Sequence, residues 1–228
     1  MPKREKRTSK LIIEILCREA SIFAEVESTY PEPTLYGVTD GKAIGTYLEH
    51  KFRAHLAAKY TFAPCNSASG VDFPDLQVAV KVTAISQPQS SCPFKSARQK
   101  IYGLGYSLLV FVYDKKDDPK TATAILNMLH TVFIEQRRTA DFTMTRLILK
   151  QLEAACNAED LIGLMHDKNL PLDDIEAAKI AEELLVKPCE QGYLTCLSHF
   201  PAKVSTLYLC ENRLFYRSDA NSLICMPG

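Results

Sequence analysis

Residues 76–83 (LQVAVKVT) constrain the fold more strongly than any other stretch of this 228-residue sequence. Leucine and valine side chains alternate with other residues, and a period of two that is rich in β-branched residues predicts a strand with one apolar face. Ala79 and Lys81 then share the opposite face. The chain therefore requires a sheet that packs against a core on one side and presents Lys81 on the other.

Asp72 precedes this strand and reaches the face of Ala79 only if the chain reverses between them, since a straight strand would separate the two by about 23 Å. Residues 73–76 offer a turn, although Asp-Leu is not a preferred hairpin pair and proline cannot donate to the ladder. A wider loop would serve equally well. A reversal centred between Asp75 and Leu76 pairs residue 72 with residue 79, with their Cβ atoms about 5 Å apart. That is the reach of two carboxylates sharing one Mg²⁺.

These residues resemble the active-site motif of the PD-(D/E)XK nuclease superfamily, in which an Asp is followed on a strand hairpin by Asp or Glu, any residue, and Lys. Here the pattern reads Asp72, Ala79, Val80, Lys81. The phrase Asp-Phe-Pro-Asp-Leu-x-Val-x-Val-Lys-Val is most similar to that of mismatch-repair nicking endonucleases of the MutH type and of some type II restriction endonucleases. The resemblance implies Mg²⁺-dependent hydrolysis of DNA, with Asp72 as a metal ligand and Lys81 as the catalytic lysine that orients or activates water.

Ala79 departs from the motif, because it occupies the position of the second carboxylate. It could be a deliberate inactivating substitution in an active enzyme, a natural loss, or a site where another carboxylate substitutes. We favour the first explanation because the flanking residues fit the motif closely. Asp75 is the second choice for the first ligand because it follows a proline, but straight strand residues would place it about 13 Å from residue 79.

Residues 41–56 have apolar side chains at helical spacing, which predicts an amphipathic helix packed on the sheet. In the resembled families a Glu on the first core helix points into the active site, and Glu49 matches that place. The alternative is a solvated surface glutamate beside Lys51 and Arg53. Together with Asp72 and Lys81, Glu49 is assigned to the active site as a second metal ligand.

Candidate DNA contacts follow the motif. Residues 87–94 are a polar loop, residues 95–103 begin a helix that ends at glycine, and residues 107–113 are an apolar run typical of a buried strand. Amides, hydroxyls and basic groups can contact base edges and phosphates. The side chains assigned to DNA binding are Gln87, Gln89, Ser90, Ser91, Lys95 and Arg98; for the basic ones a solvated helix face is the alternative.

The resulting fold class is α/β, with a mixed central sheet flanked by helices, as in a restriction-endonuclease-like core, and a C-terminal helical and β-hairpin lobe. Residues 1–118 are expected to form the catalytic core with an N-terminal helical arm, and residues 119–228 the C-terminal lobe. Apolar spacing predicts helices over 121–136, 142–156, 158–167 and 172–186, and strands over 193–197, 206–210 and 214–216. This lobe could read DNA as a winged helix or could provide core and dimer contacts.

Composition limits the class of protein. A net charge of zero argues against a protein that coats nucleic acid through bulk electrostatics, but not against specific recognition. No apolar run approaches the roughly 18 residues that span a bilayer, and scattered cysteines without a Cys-x-x-Cys pair suit reduced thiols in the cytoplasm.

The leading hypothesis is a Mg²⁺-dependent type II restriction endonuclease that acts on double-stranded DNA. A homodimer is expected because two-fold symmetry suits cleavage of both strands of a palindrome. The alternatives are a non-catalytic DNA-binding protein that retains a nuclease fold and a mismatch-repair-like nicking endonuclease.

Overall fold

The structure, a computed structural model, describes residues 9–64, 70–86 and 94–194. The helices of these ranges are α1 (Ile13–Glu27), α2 (Gly41–Ala57), α3 (Ala97–Tyr102), α4 (Phe142–Glu153), α5 (Ala158–Asp167) and α6 (Asp174–Val186). The strands are β1 (Ser9–Lys10), β2 (Tyr60–Thr61), β3 (Val78–Ala84), β4 (Ser107–Asp118) and β5 (Thr123–Ile134). A central sheet with the order β3-β4-β5 and flanking helices confirm the predicted α/β class.

The chain divides into two compact units. Of the described residues, the first unit comprises 9–64, 70–86 and 108–133, and the second comprises 94–107 and 134–194. The expected boundary at residue 118 separates β4 from β5, whereas these neighbouring strands lie together in the first unit. Within the described ranges, no helix is both long and apolar enough to cross a lipid bilayer.

Helix α2 packs on β3 in the first unit because their apolar faces match. The helix begins after Asp40, whose carboxylate accepts the backbone N–H of Lys42 at 2.9 Å and caps the first turn. Leu48 and Phe52 of α2 are completely buried in one core cluster with Val80 of β3. Full burial of such a side chain contributes about 1.5–3 kcal/mol, so this contact stabilises the packing of α2 against β3.

The chain reversal before β3 has the predicted register. Phe73 and Val78 form an antiparallel bridge, which places residue 72 across from residue 79. The loop is wider than a two-residue turn: Pro74–Leu76 form a 3-10 turn, and Gln77 takes a left-handed conformation with φ of 53°. The predicted pairing is confirmed.

The prediction of a helix over 121–136 is wrong, because residues 123–134 form β5. β5 follows β4 after a connection of residues 119–122 and lies beside it in the sheet. The buried residues of β5 are Ala124, Leu126, Val132 and Ile134. Even numbers of positions separate them, so they share one face of the strand. An apolar segment of this length matches both helical and strand periods, and pairing with β4 selects the strand.

The second unit contains α3 to α6 around a separate core cluster that includes Ile101, Ile148, Leu161 and Ile180. The helices predicted over 142–156, 158–167 and 172–186 are confirmed as α4, α5 and α6. Their starts follow from capping: for example, Asn157 and Asp160 form a reciprocal capping box at the start of α5.

Several predictions fall on residues outside the described ranges. These are the loop residues 87–93, residues 1–8 before β1, and the strands over 206–210 and 214–216. Of the strand predicted over 193–197, only the first two residues are described, and Leu194 forms a parallel bridge with Asp141.

Candidate active site

Asp72 lies in the bend that precedes the β3 hairpin, and its side chain is half-buried. One carboxylate oxygen, Oδ2, accepts the backbone N–H of Val80 at 2.7 Å. Val80 stands between Ala79 and Lys81 in β3. The hydrogen bond therefore holds the Asp72 carboxylate against the stretch of strand where the motif resemblance places the reaction.

Glu49 lies half-buried on α2 and is influenced by the charges of the other two motif residues. Burial raises the pKa of Glu49, and the negative charge of Asp72 raises it further. Electrostatic interactions with Lys81, His50 and Arg53 lower the pKa of Glu49 without cancelling this rise. Glu49 therefore lies within electrostatic range of both Asp72 and Lys81.

The Glu49 carboxylate has no hydrogen-bond donor among residues 9–64, 70–86 and 94–194. It stands near the like charge of Asp72 with its own pKa raised. Perturbed carboxylates of this kind are common at sites that bind a cation or a reacting group.

Ala79 is completely buried and offers no oxygen ligand from its side chain. Among the described residues, no three His, Cys, Asp or Glu side chains converge as a metal cluster. Glu49 and Asp72 nevertheless fit Mg²⁺, which proteins usually bind through one or two carboxylates while it retains several waters. Burial is the largest cause of the raised pKa of Glu49 and the charge of Asp72 is the second, and a divalent cation held by both carboxylates would offset that second contribution.

Arg53 contacts Asp72 in a way that sequence reasoning missed. Its Nη2 donates to the Asp72 backbone oxygen at 2.6 Å and lies 3.6 Å from carboxylate oxygen Oδ1. The guanidinium also lies over the Phe73 ring, 5.5 Å from its centroid. The available signal was its position four residues after Glu49, which places both on one side of the helix.

Asp75, the second choice for a metal ligand, has a different partner. Its exposed carboxylate accepts the backbone N–H of Ala63 at 3.2 Å. This contact joins the 3-10 turn to the segment after β2.

The basic residues assigned to DNA binding lie in the second unit. Lys95 is exposed, and its backbone N–H donates to Gln99. The Arg98 guanidinium forms ion pairs with Glu176 and Glu183, which raise its pKa. Gln87, Gln89, Ser90 and Ser91 lie outside the described residues.

Comparisons with known proteins identify the family. The family model described as type II restriction enzyme NspV matches residues 10–200. A curated relative, the type II restriction enzyme NspV of Nostoc sp. (strain ATCC 29411 / PCC 7524), is 61% identical over 185 residues, which cover 81% of this chain and 84% of the relative. No solved structure matches the chain. The chain therefore belongs to the NspV family of type II restriction enzymes.

Proposed function

We propose that this protein is a Mg²⁺-dependent type II restriction endonuclease of the PD-(D/E)XK superfamily, which hydrolyses phosphodiester bonds of double-stranded DNA at a specific site. The observation that carries the proposal is the hydrogen bond from Val80 that holds the Asp72 carboxylate on β3 next to Lys81, with Glu49 of α2 within electrostatic range of both residues. Membership of the NspV family supports the reaction class. The hairpin register, with residue 72 across from residue 79, supports the superfamily assignment.

Each residue has a role that its surroundings support. Asp72 and Glu49 would hold Mg²⁺, which when bound would acidify water and offset negative charge on the phosphate. Val80 orients Asp72 through its backbone N–H. Lys81 is exposed, so its ammonium can meet a phosphate from solution, steer the attacking water and stabilise developing negative charge.

Ala79 defines the expected level of activity. With no carboxylate at this position, Asp72 is the hairpin's own contribution to metal binding, and we propose that the chain cleaves DNA weakly. A specific observation also favours a second candidate function, a DNA-binding protein that does not cleave: residue 79 is completely buried and bears only a methyl group. Restoring a carboxylate at residue 79 separates the two functions.

The test is cleavage of plasmid DNA by the parent, Ala79→Asp and Ala79→Glu, each with Mg²⁺ or with EDTA. At least one carboxylate variant should gain Mg²⁺-dependent cleavage. Adding Lys81→Ala to that variant should reduce the rate about 100-fold or more, as expected for loss of a group that stabilises the transition state. Lys116→Ala is the matched control, because Lys116 is exposed and lies in β4 of the same unit.

Two results decide between the candidates. If neither carboxylate variant gains cleavage and Lys81→Ala changes nothing, the active-site assignment is wrong. If the parent and both variants bind one DNA sequence tightly without Mg²⁺ and never nick it, the non-catalytic function is correct.

We further propose a homodimer, since two copies related by a two-fold axis can cut both strands of a palindromic site. Sedimentation of the protein with and without a palindromic duplex tests this, and a monomer that nicks one strand would contradict it.

The DNA contacts that we continue to propose are Gln87, Gln89, Ser90, Ser91 and Lys95. Arg98 would have to exchange its carboxylate partners for a phosphate to join them.

A further inference from the structure

Arg53 is a charged side chain to which neither the motif nor the family match assigns a role. It lies on α2 and reaches the bend that carries Asp72, so it joins two elements that supply proposed metal ligands. Its side chain is about a quarter exposed, with a relative accessible area of 27%. The contact between Arg53 and Asp72 is therefore partly shielded from water.

The contacts of Arg53 differ in strength. The 2.6 Å hydrogen bond from Nη2 to the Asp72 backbone oxygen is short and involves a charged donor, whereas the ion pair to Oδ1 spans 3.6 Å. Charge-assisted hydrogen bonds are stronger than neutral ones, while partly exposed ion pairs contribute little. The main action of Arg53 is therefore on the backbone of Asp72.

Phe73 gives this contact a rigid support. Its ring is 1% exposed and lies edge-on to Phe52 and Phe62, with centroid distances of 6.4 and 5.3 Å. The Arg53 guanidinium lies over this ring. A planar guanidinium can stack on an aromatic ring and donate hydrogen bonds from its edge at once, which a lysine ammonium cannot do.

We propose that Arg53 is a positioning residue: it fixes the backbone at Asp72 so that the Asp72 carboxylate stays on the N–H of Val80, beside Lys81. The effect on cleavage rests on the proposed function. The effect on the geometry of Asp72 does not, because the hydrogen bond from Val80 to Asp72 exists whatever the protein catalyses. Since residue 79 carries no carboxylate, the placement of Asp72 decides whether the hairpin offers a ligand at all.

The structural arm of the test measures amide hydrogen exchange in the full-length protein carrying Arg53→Lys or Arg53→Met. Exchange at Val80 should quicken about tenfold in both variants, equivalent to about 1.4 kcal/mol, which is the size expected for one side-chain hydrogen bond. Ile85 is the internal reference, because its N–H donates to Tyr113 beyond the other end of β3. Its exchange should stay unchanged.

Arg146→Lys and Arg146→Met are the matched controls. Arg146 is exposed on α4 and lies over the Phe142 ring at 5.7 Å, so it shares the aromatic contact of Arg53. These variants should leave Val80 unaffected. If the Val80 amide of Arg53→Lys exchanges as slowly as in the parent, a positive charge at residue 53 is enough to hold Asp72, and the proposed role of the guanidinium is refuted. Equal acceleration at Val80 and Ile85 would indicate general loss of stability and would also overturn the proposal.

The functional arm measures Mg²⁺-dependent cleavage with Arg53→Lys placed in the Ala79→Asp background. A change in a residue that orients a metal ligand typically costs 10–100-fold, so we expect about a tenfold lower rate. If neither Ala79→Asp nor Ala79→Glu gains cleavage and Lys81→Ala changes nothing, the proposed function fails, while the Val80 measurement still decides the role of Arg53. Normal cleavage by an Arg53→Lys variant that has lost Val80 protection would refute the link to catalysis.

Discussion

Two glutamates in the first unit, Glu19 and Glu49, have opposite environments. Glu19 is buried on α1 and accepts hydrogen bonds from Lys59 at 2.7 Å and Tyr60 at 2.8 Å, with a ring nitrogen of His55 at 2.9 Å. Burial by itself raises the pKa of Glu19, but the contacts from Lys59, Tyr60 and His55 outweigh it and lower the pKa to about 2. The surroundings of Glu19 thus stabilise its charge.

Glu49 has the reverse balance. Burial and the nearby charge of Asp72 raise its pKa, and Lys81 opposes them only in part. No donor to its carboxylate lies within the described parts of the chain. The two environments differ in whether they stabilise the charged carboxylate: the partners of Glu19 do so, whereas burial and the Asp72 charge disfavour the charged form of Glu49, as is found at many functional sites.

The largest expected effect is on cleavage by Glu49→Gln. In the Ala79→Asp background this change should lower the Mg²⁺-dependent rate about 100-fold or more, because it removes the charge of a proposed metal ligand and leaves an amide of the same size. Plasmid cleavage under single-turnover conditions provides the rate. Glu19→Gln is the control and should keep the rate per folded molecule. Equal losses of cleavage rate in Glu49→Gln and Glu19→Gln would contradict the assignment of different roles to the two glutamates.

Stability should show the opposite pattern. Glu19→Gln is expected to lower the free energy of unfolding by about 2 kcal/mol, because a buried charged acceptor and its hydrogen bonds to Lys59 and Tyr60 are weakened. Urea denaturation at neutral pH measures this. Glu49→Gln should not lower the stability, since it relieves the repulsion with Asp72. If Glu19→Gln unfolds with the same free energy as the parent, the contacts of Glu19 contribute little to stability.

Acid should weaken the Glu19 cluster in a defined direction. Because the folded-state pKa of Glu19 is lowered from 4.5 to about 2, its contribution is fully present above pH 4.5 and is lost as the pH falls toward 2. Between neutral pH and about pH 3.5 the free energy of unfolding should fall by about 1.4 kcal/mol through Glu19 alone. Unfolding curves across this range should fall less steeply for Glu19→Gln than for the parent. Parallel curves would contradict the assignment.

The smallest effect isolates one donor of the cluster. Tyr60→Phe removes the hydroxyl that donates to Glu19 Oε1 at 2.8 Å. One hydrogen bond contributes about 1 kcal/mol, so thermal and urea unfolding should shift by that amount. Cleavage by the same variant in the Ala79→Asp background should stay unchanged. A drop in cleavage without a drop in stability would show that this cluster acts on the reaction.

Local patterns predicted much of the fold because they report local interactions. The alternation around Val80, together with the turn at Pro74, predicted both β3 and the pairing of residue 72 with residue 79. Capping residues such as Asn157 marked where helices of the second unit begin. These features depend on residues a few positions apart, so their energetics can be read along the chain.

The candidate site was predicted only in part. The motif resemblance supplied Asp72, Lys81 and Glu49, yet it could not give the raised pKa of Glu49, which depends on a carboxylate in a different element. Arg53 was missed because its hydrogen bond crosses 19 positions in sequence. Arg98 was assigned to DNA, but its carboxylate partners lie 78 and 85 residues further along the chain.

The sequence alone predicted the strand that carries Lys81 and the reversal that brings Asp72 back to it, since both follow from periodicity and turn chemistry; the motif resemblance implies that Ala79 replaces a carboxylate. Tertiary structure decided that residues 123–134 are β5 and not a helix, that Arg53 supports Asp72, and that Glu19 is structural while Glu49 stays underpaired. The physical reason is that pairing with β4 and the electrostatic surroundings of a buried charge arise from distant segments meeting in space.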